Sequence, residues 1–133
     1  MRCSALLVLV VAGALALASP ARADHARYGV VLVIGPETAR ELMERGGVAA
    51  IDLRPEGDYR AGRLPGARSL PLATLASRLD ELPRDGVLVL YGDAATERVL
   101  GAYHLIRARR PGDVYVLEGG LDAWRRLGYR LER

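Results

Sequence analysis

Few residues in this sequence could do chemistry, and most of them lie in one loop. Between the aliphatic run Val87 to Tyr91 and a helix expected from about Thr96 stands Gly92-Asp93-Ala94-Ala95-Thr96-Glu97, which offers one hydroxyl and two carboxylates. A hydroxyl nucleophile needs a neighbouring base, and no histidine stands beside this one. Thr96 reads better as the N-cap of the helix that follows. Asp52 and Arg54 close another apolar run and flank the loop, at a strand end of the kind where open parallel sheets gather ligands. The plainer expectation is that they hydrogen-bond to loops and to each other.

Metal chemistry has little to work with. His104 sits in the apolar stretch Val99 to Ile106 with no second histidine nearby, so a metal there would lack ligands and the side chain is expected to be a partly buried helix residue. His25 would become the second residue if the chain were cut behind Ala23, where an imidazole and an α-amino group can hold copper or nickel, but two ligands are too few for a dedicated site. No metal and no other cofactor is expected.

Thiol chemistry depends on where the chain begins. The single cysteine, Cys3, precedes an unbroken small and apolar run, Ala5 to Ala18, which ends in Ser19-Pro20-Ala21-Arg22-Ala23. That pattern is a secretory signal peptide with an Ala-x-Ala cleavage site, and the run is shorter than the ~18 to 20 apolar residues that cross a bilayer. Cleavage after Ala23 removes Cys3 and leaves no membrane span, so the product is expected to be exported, periplasmic or secreted, without disulfide, thiolate metal site or thiol nucleophile. Residues 1–23 carry two of the 19 basic side chains and none of the 16 acidic ones, so the remainder is nearly neutral. Both signs are interspersed along it, all the basic residues are arginine, and no nucleic-acid stripe is expected.

Residues 24–29 read as a short N-terminal segment and 30–133 as one domain, the size of a single core. Val30 to Ile34 reads as a buried strand, followed by a helix with Pro36 in its first turn that runs to about Glu44 and stops at Gly46-Gly47. Val48 to Leu53 is a second apolar run, Glu56 to Ala61 a short helix, and Arg63 to Ala67 a loop. Leu72, Leu75, Leu79 and Leu82 fall on one face of a helix that Pro83 and Gly86 end. Val87 to Tyr91 and Asp113 to Leu117 are strands, a helix runs from about Thr96 to Arg107, and Gly119-Gly120 turns into a last helix whose Trp124 is expected to pack against the sheet. Continuous apolar strands separated by helices call for a parallel sheet covered on both faces.

Two motifs sharpen this. Ile51-Asp52-Leu53-Arg54-Pro55-Glu56-Gly57-Asp58-Tyr59 with Gly62-Arg63-Leu64-Pro65-Gly66-Ala67, and Val114 to Trp124 with its Leu117-Glu118-Gly119-Gly120 turn, resemble the opening and closing signatures of the rhodanese-like family. The resemblance runs from Val30 to Tyr129 and implies a three-layer α/β domain with a central parallel sheet flanked by helices. It also implies an active loop after the fourth strand that starts with a nucleophilic cysteine, whose thiolate at a helix N-terminus has a lowered pKa and carries sulfur as a persulfide.

The residue at that position here is Gly92. The resemblance further implies an arginine late in the loop, where this chain has Glu97, so with Asp93 the loop is expected to repel anions such as thiosulfate. Arg63, where the family usually has histidine, is expected to be architectural. The resulting expectation is a binding or scaffolding module for a protein partner. The alternatives are a sulfurtransferase, or a small-ligand binder using residues 92–97.

Overall fold

The computed structural model describes residues 30–94 and 96–133, with the backbone alone at Thr96 and Glu97. The readings of the leader, of Cys3 and His25, of Ala95, and of the side chains of Thr96 and Glu97 lie outside the described residues. Residues Val31–Arg133 form one compact unit. Among the described residues no helix is long and apolar enough to cross a membrane.

The aliphatic runs become strands of one sheet. β1 (Val33–Ile34), β2 (Val48–Asp52), β3 (Arg68–Ser69), β4 (Val87–Tyr91) and β5 (Val114–Leu117) lie in the order β1-β5-β4-β2-β3, every neighbouring pair parallel. Helices α1 (Pro36–Arg45), α2 (Glu56–Ala61), α3 (Leu72–Leu75), α4 (Thr96–Arg109) and α5 (Gly120–Arg126) connect them, with a 3-10 turn at Leu79–Glu81. Because side chains alternate across a strand, β4 sends Leu88 and Leu90 to one face and Val89 and Tyr91 to the other. The first pair packs with Ile51, Leu75, Val99, Tyr103 and Ile106, the second with Ala39, Leu64, Leu121 and Trp124. Both faces are apolar because both are covered, which is why these strands show no polar alternation.

Three expectations need correction, and one strand was not expected. Val30 to Ile34 is not a buried strand: only Val33–Ile34 pairs, at the sheet's edge, and Val33 stays exposed. The leucines at 72, 75, 79 and 82 do face one core, but no single helix carries them. After Leu75 the amides of Ser77 and Arg78 bond three residues back, to Thr74 and Leu75, and the Ser77 hydroxyl also donates to the Thr74 carbonyl, so the chain tightens out of α geometry. His104 is exposed, because α4 turns Val99, Ala102, Tyr103 and Ile106 inward and His104 falls off that face. The two-residue β3 is polar and lies at the other edge, so no apolar run announces it.

Arg110 is a buried cation that pattern reading passes over. Its Nε donates to the Pro83 carbonyl at 2.6 Å, and Nη2 to those of Asp85 and Gly86 at 3.0 and 2.7 Å. The side chain thus holds the turn that leads into β4. Burial lowers its pKa, and Nη1 is buried without a partner.

Candidate functional site

The loop after β4 is shaped by main-chain bonds from the helix that opens at Gly120. The Gly92 carbonyl accepts the Leu121 amide at 2.9 Å and the Asp93 carbonyl accepts the Asp122 amide at 3.1 Å, so the first turn of α5 anchors the start of the loop. Such an approach requires the Gly119-Gly120 turn. Both glycines have positive φ, and a Cβ on Gly120 would stand 2.4 Å from the carbonyl oxygens of Gly92 and Asp93.

Asp52 and Arg54 meet just beneath. Asp52, fully buried, accepts Arg54 Nε at 3.0 Å on Oδ1 and Nη2 at 2.7 Å on Oδ2, together with the Arg54 amide and the Tyr91 hydroxyl at 2.7 Å. Arg54 Nη2 also donates to the Gly62 carbonyl, and the Tyr91 oxygen accepts the Leu64 amide. Burial would depress the Arg54 pKa, but the hydrogen bond and charge of Asp52 outweigh it and the net shift is upward. Burial, then the charge and hydrogen bond of Asp52, push the Tyr91 phenol well above its ordinary range. The expected mutual hydrogen bonding of Asp52 and Arg54 is present. A carboxylate with four donors on it is committed to structure and is a poor general base.

Above this network lies a cavity of about 580 Å³. Leu53, Pro55, Pro71, Leu72 and Val99 supply apolar walls, while Arg54, Glu56, Asp93 and Arg98 supply charge. The amides of Leu70 and Leu72 bond to the carbonyls of Asp52 and Leu53, which pins the Pro71-Leu72 wall beside β2. The structure therefore brings Gly92 and Asp93 together with Arg54 at one cavity; Ala94 is exposed in the same loop.

The expectation that the loop repels anions counted only charges along the loop. In space Arg54 Nη1 comes within 3.5 Å of Asp93 Oδ1 and Arg98 adds a second guanidinium to the lining. Arg98 was the missed residue, and its signal was its place, directly after the loop in the first turn of α4.

No cysteine, serine, threonine or histidine lines this cavity among the described residues. Gly92 has no positive φ, and among the described residues a Cβ built on it would touch Val99 Cγ2 alone, at 3.3 Å. A side chain there is sterically possible after a shift of a few tenths of an ångström.

A family model, the rhodanese-like domain, matches residues 35–127. The chain belongs to this family. Among curated proteins this rhodanese-like chain is 38% identical over 101 residues to an HTH-type transcriptional regulator of Mycobacterium tuberculosis, covering 68% of this chain but only 42% of that one. It is 31% identical over 94 residues to the thiosulfate sulfurtransferase GlpE of Pseudomonas putida, covering 69% and 83%. It is 28% identical over 90 residues to a sulfurtransferase of Allochromatium vinosum, covering 68% and 83%. Among solved structures, the rhodanese-like domain of an Anabaena protein superposes with a TM-score of 0.67 at 24% identity over 77% of this chain and 80% of that one. A thiosulfate sulfurtransferase of Pseudomonas aeruginosa gives 0.70 at 23% over 77% and 19%. These likenesses support the fold described above.

Proposed function

We propose that this rhodanese-like domain is a non-catalytic, exported module that works by binding a protein partner. The observation that carries the reading is Gly92. A strand, a loop and a helix follow one another in the order that the resemblance implies, and the residue at the implied nucleophile position has no side chain. The chain's single cysteine, Cys3, belongs to the leader-like segment 1–23. Asp52 is held by four donors and offers no spare base to an alternative nucleophile. Export rests on that leader alone, and amino-terminal sequencing of the protein recovered from its native compartment tests it; a chain still beginning at Met1 in the cytoplasm would defeat it.

A second reading is favoured by the cavity itself. An apolar-walled space with two guanidiniums and two carboxylates in its lining suits a small polar ligand with an apolar body. This reading keeps the loop as a binding element without a reaction.

Sulfur transfer to cyanide or a thiol, from thiosulfate and from a mercaptopyruvate-type donor, separates these from an enzyme. The expected result is an inactive wild type. Gly92→Cys is expected to gain activity, since the loop anchor at α5 does not depend on the side chain at 92. A sulfurtransferase-active wild-type protein would overturn the proposal. Inactivity of both forms would leave no transfer chemistry in the loop and favour the ligand-binding reading.

A further inference from the structure

Folding gathers charges that the sequence scatters. Arg63, Arg125, Arg130 and Arg133 line one open groove of about 950 Å³, and among the described residues Glu132 is the only acidic side chain in its lining. Glu132 is already engaged: its Oε2 lies 3.9 Å from Arg63 Nε and accepts the Gly66 amide at 3.0 Å. Arg125, Arg130 and Arg133 are exposed, and among the described residues none has a carboxylate within ion-pairing distance. A concave surface of one sign concentrates its field and selects an oppositely charged partner. The groove adjoins a pocket of about 470 Å³ that includes Met43, Pro65 and Trp124 together with the ion pair Arg40–Glu44, the two cavities sharing Tyr129 and Arg130.

We infer that this groove is the docking surface for an acidic, extended peptide segment of a partner protein, its carboxylates on the arginines and one apolar side chain in the pocket beside Met43. The inference rests on the reading of the domain as a binding module and gives its partner a chemistry. Guanidiniums pair with carboxylates in two-pronged geometry, and an extended segment presents charged and apolar side chains in alternation. Nucleic acid fits less well, because single strands bind by stacking bases on open aromatic faces. Here Arg63 lies 4.6 Å from the Tyr59 ring centre and Arg40 lies 4.7 Å from that of Tyr129, so each ring already carries a cation. A membrane surface is flat, whereas Arg63 is recessed at 21% exposure.

The test is fluorescence anisotropy of the purified chain with a fluorescein-labelled peptide of alternating Glu and Leu. Oligo-dT, phosphatidylglycerol vesicles and a peptide of alternating Lys and Leu serve as competing probes. Arg125→Glu with Arg130→Glu reverses the groove; Arg84→Glu with Arg109→Glu makes the same change of net charge at exposed positions outside it. Groove reversal is expected to weaken the acidic peptide by about tenfold or more, with the control pair near wild type and affinity falling as salt rises. Unfolding midpoints close to wild type for both variants tie the loss to the surface. Equal binding by both variants, no binding of the acidic peptide, or tighter binding of oligo-dT or vesicles would each overturn the inference. A silent peptide beside a wild type inactive in sulfur transfer removes only the acidic partner; an active wild type removes the module reading whatever the peptide does.

Discussion

Replacing Gly120 by alanine should unfasten the loop at its root, and the structure sets the size of the effect. The residue sits at φ +54°, left-handed backbone that costs an L side chain about 1–2 kcal/mol. The new Cβ would also fall 2.4 Å from the Gly92 and Asp93 carbonyl oxygens, a separation that real contacts do not reach, so the turn must retreat. Retreat breaks the amide bonds from Leu121 and Asp122, each contributing roughly 0.5–1.5 kcal/mol net. The total is a loss of roughly 2–5 kcal/mol in urea unfolding, with about 4–8 °C of melting temperature for each kcal/mol. Gly101→Ala is the companion measurement. That glycine lies inside α4 without positive φ and with open space where its Cβ would go, so alanine should stabilise by roughly 0.5–1 kcal/mol. A Gly120→Ala protein within about 0.5 kcal/mol of wild type would refute the idea that α5 clamps the loop through close backbone approach.

Three further outcomes follow from the buried polar groups. Arg54→Met leaves Asp52 buried with only the Tyr91 hydroxyl and the residue-54 amide as donors, and should cost about 3–5 kcal/mol in chemical denaturation. Tyr91 has its pKa raised by folding, so its contribution is complete below the ordinary phenol value near 10 and declines above it, where the unfolded chain ionises and the folded one resists. Stability measured from about pH 9 to 11 should therefore fall by up to about 1.4 kcal/mol per pH unit from this group, and Tyr91→Phe should flatten the decline. Arg110→Leu removes three bonds to the carbonyls of residues 83, 85 and 86 and should lower stability by about 2–4 kcal/mol, with Arg110→Lys recovering only part, because an ammonium cannot reach all three from one position.

What the sequence disclosed depended on how local the physics was. The strands at 48–52, 87–91 and 114–117 were legible because a sheet covered on both faces demands unbroken apolar runs. The helix at 120–126 was legible because only glycine suits the turn before it. Arg68–Ser69 left no trace, since its partner is decided by β2 and not by its own composition. The leucine spacing at 72–82 was compatible with one helix, and the three-residue hydrogen bonds at Ser77, Arg78, Glu81 and Leu82 distinguish the broken form. At the site, Gly92 and the Asp52–Arg54 pair could be placed from motif and order. The place of Arg98 directly after the loop was a signal, but its guanidinium belongs to the cavity because packing brings it beside Pro71 and Leu72.

The loop's anchorage in main-chain bonds has an evolutionary corollary. A loop whose start is held by carbonyls and amides is anchored independently of the side chain at position 92, and a small side chain there asks Val99 to give by only a few tenths of an ångström. Glycine and cysteine codons can differ by a single base. Within such an architecture a lineage can exchange a reagent for a docking platform, or reverse the exchange, by one mutation that the fold barely registers.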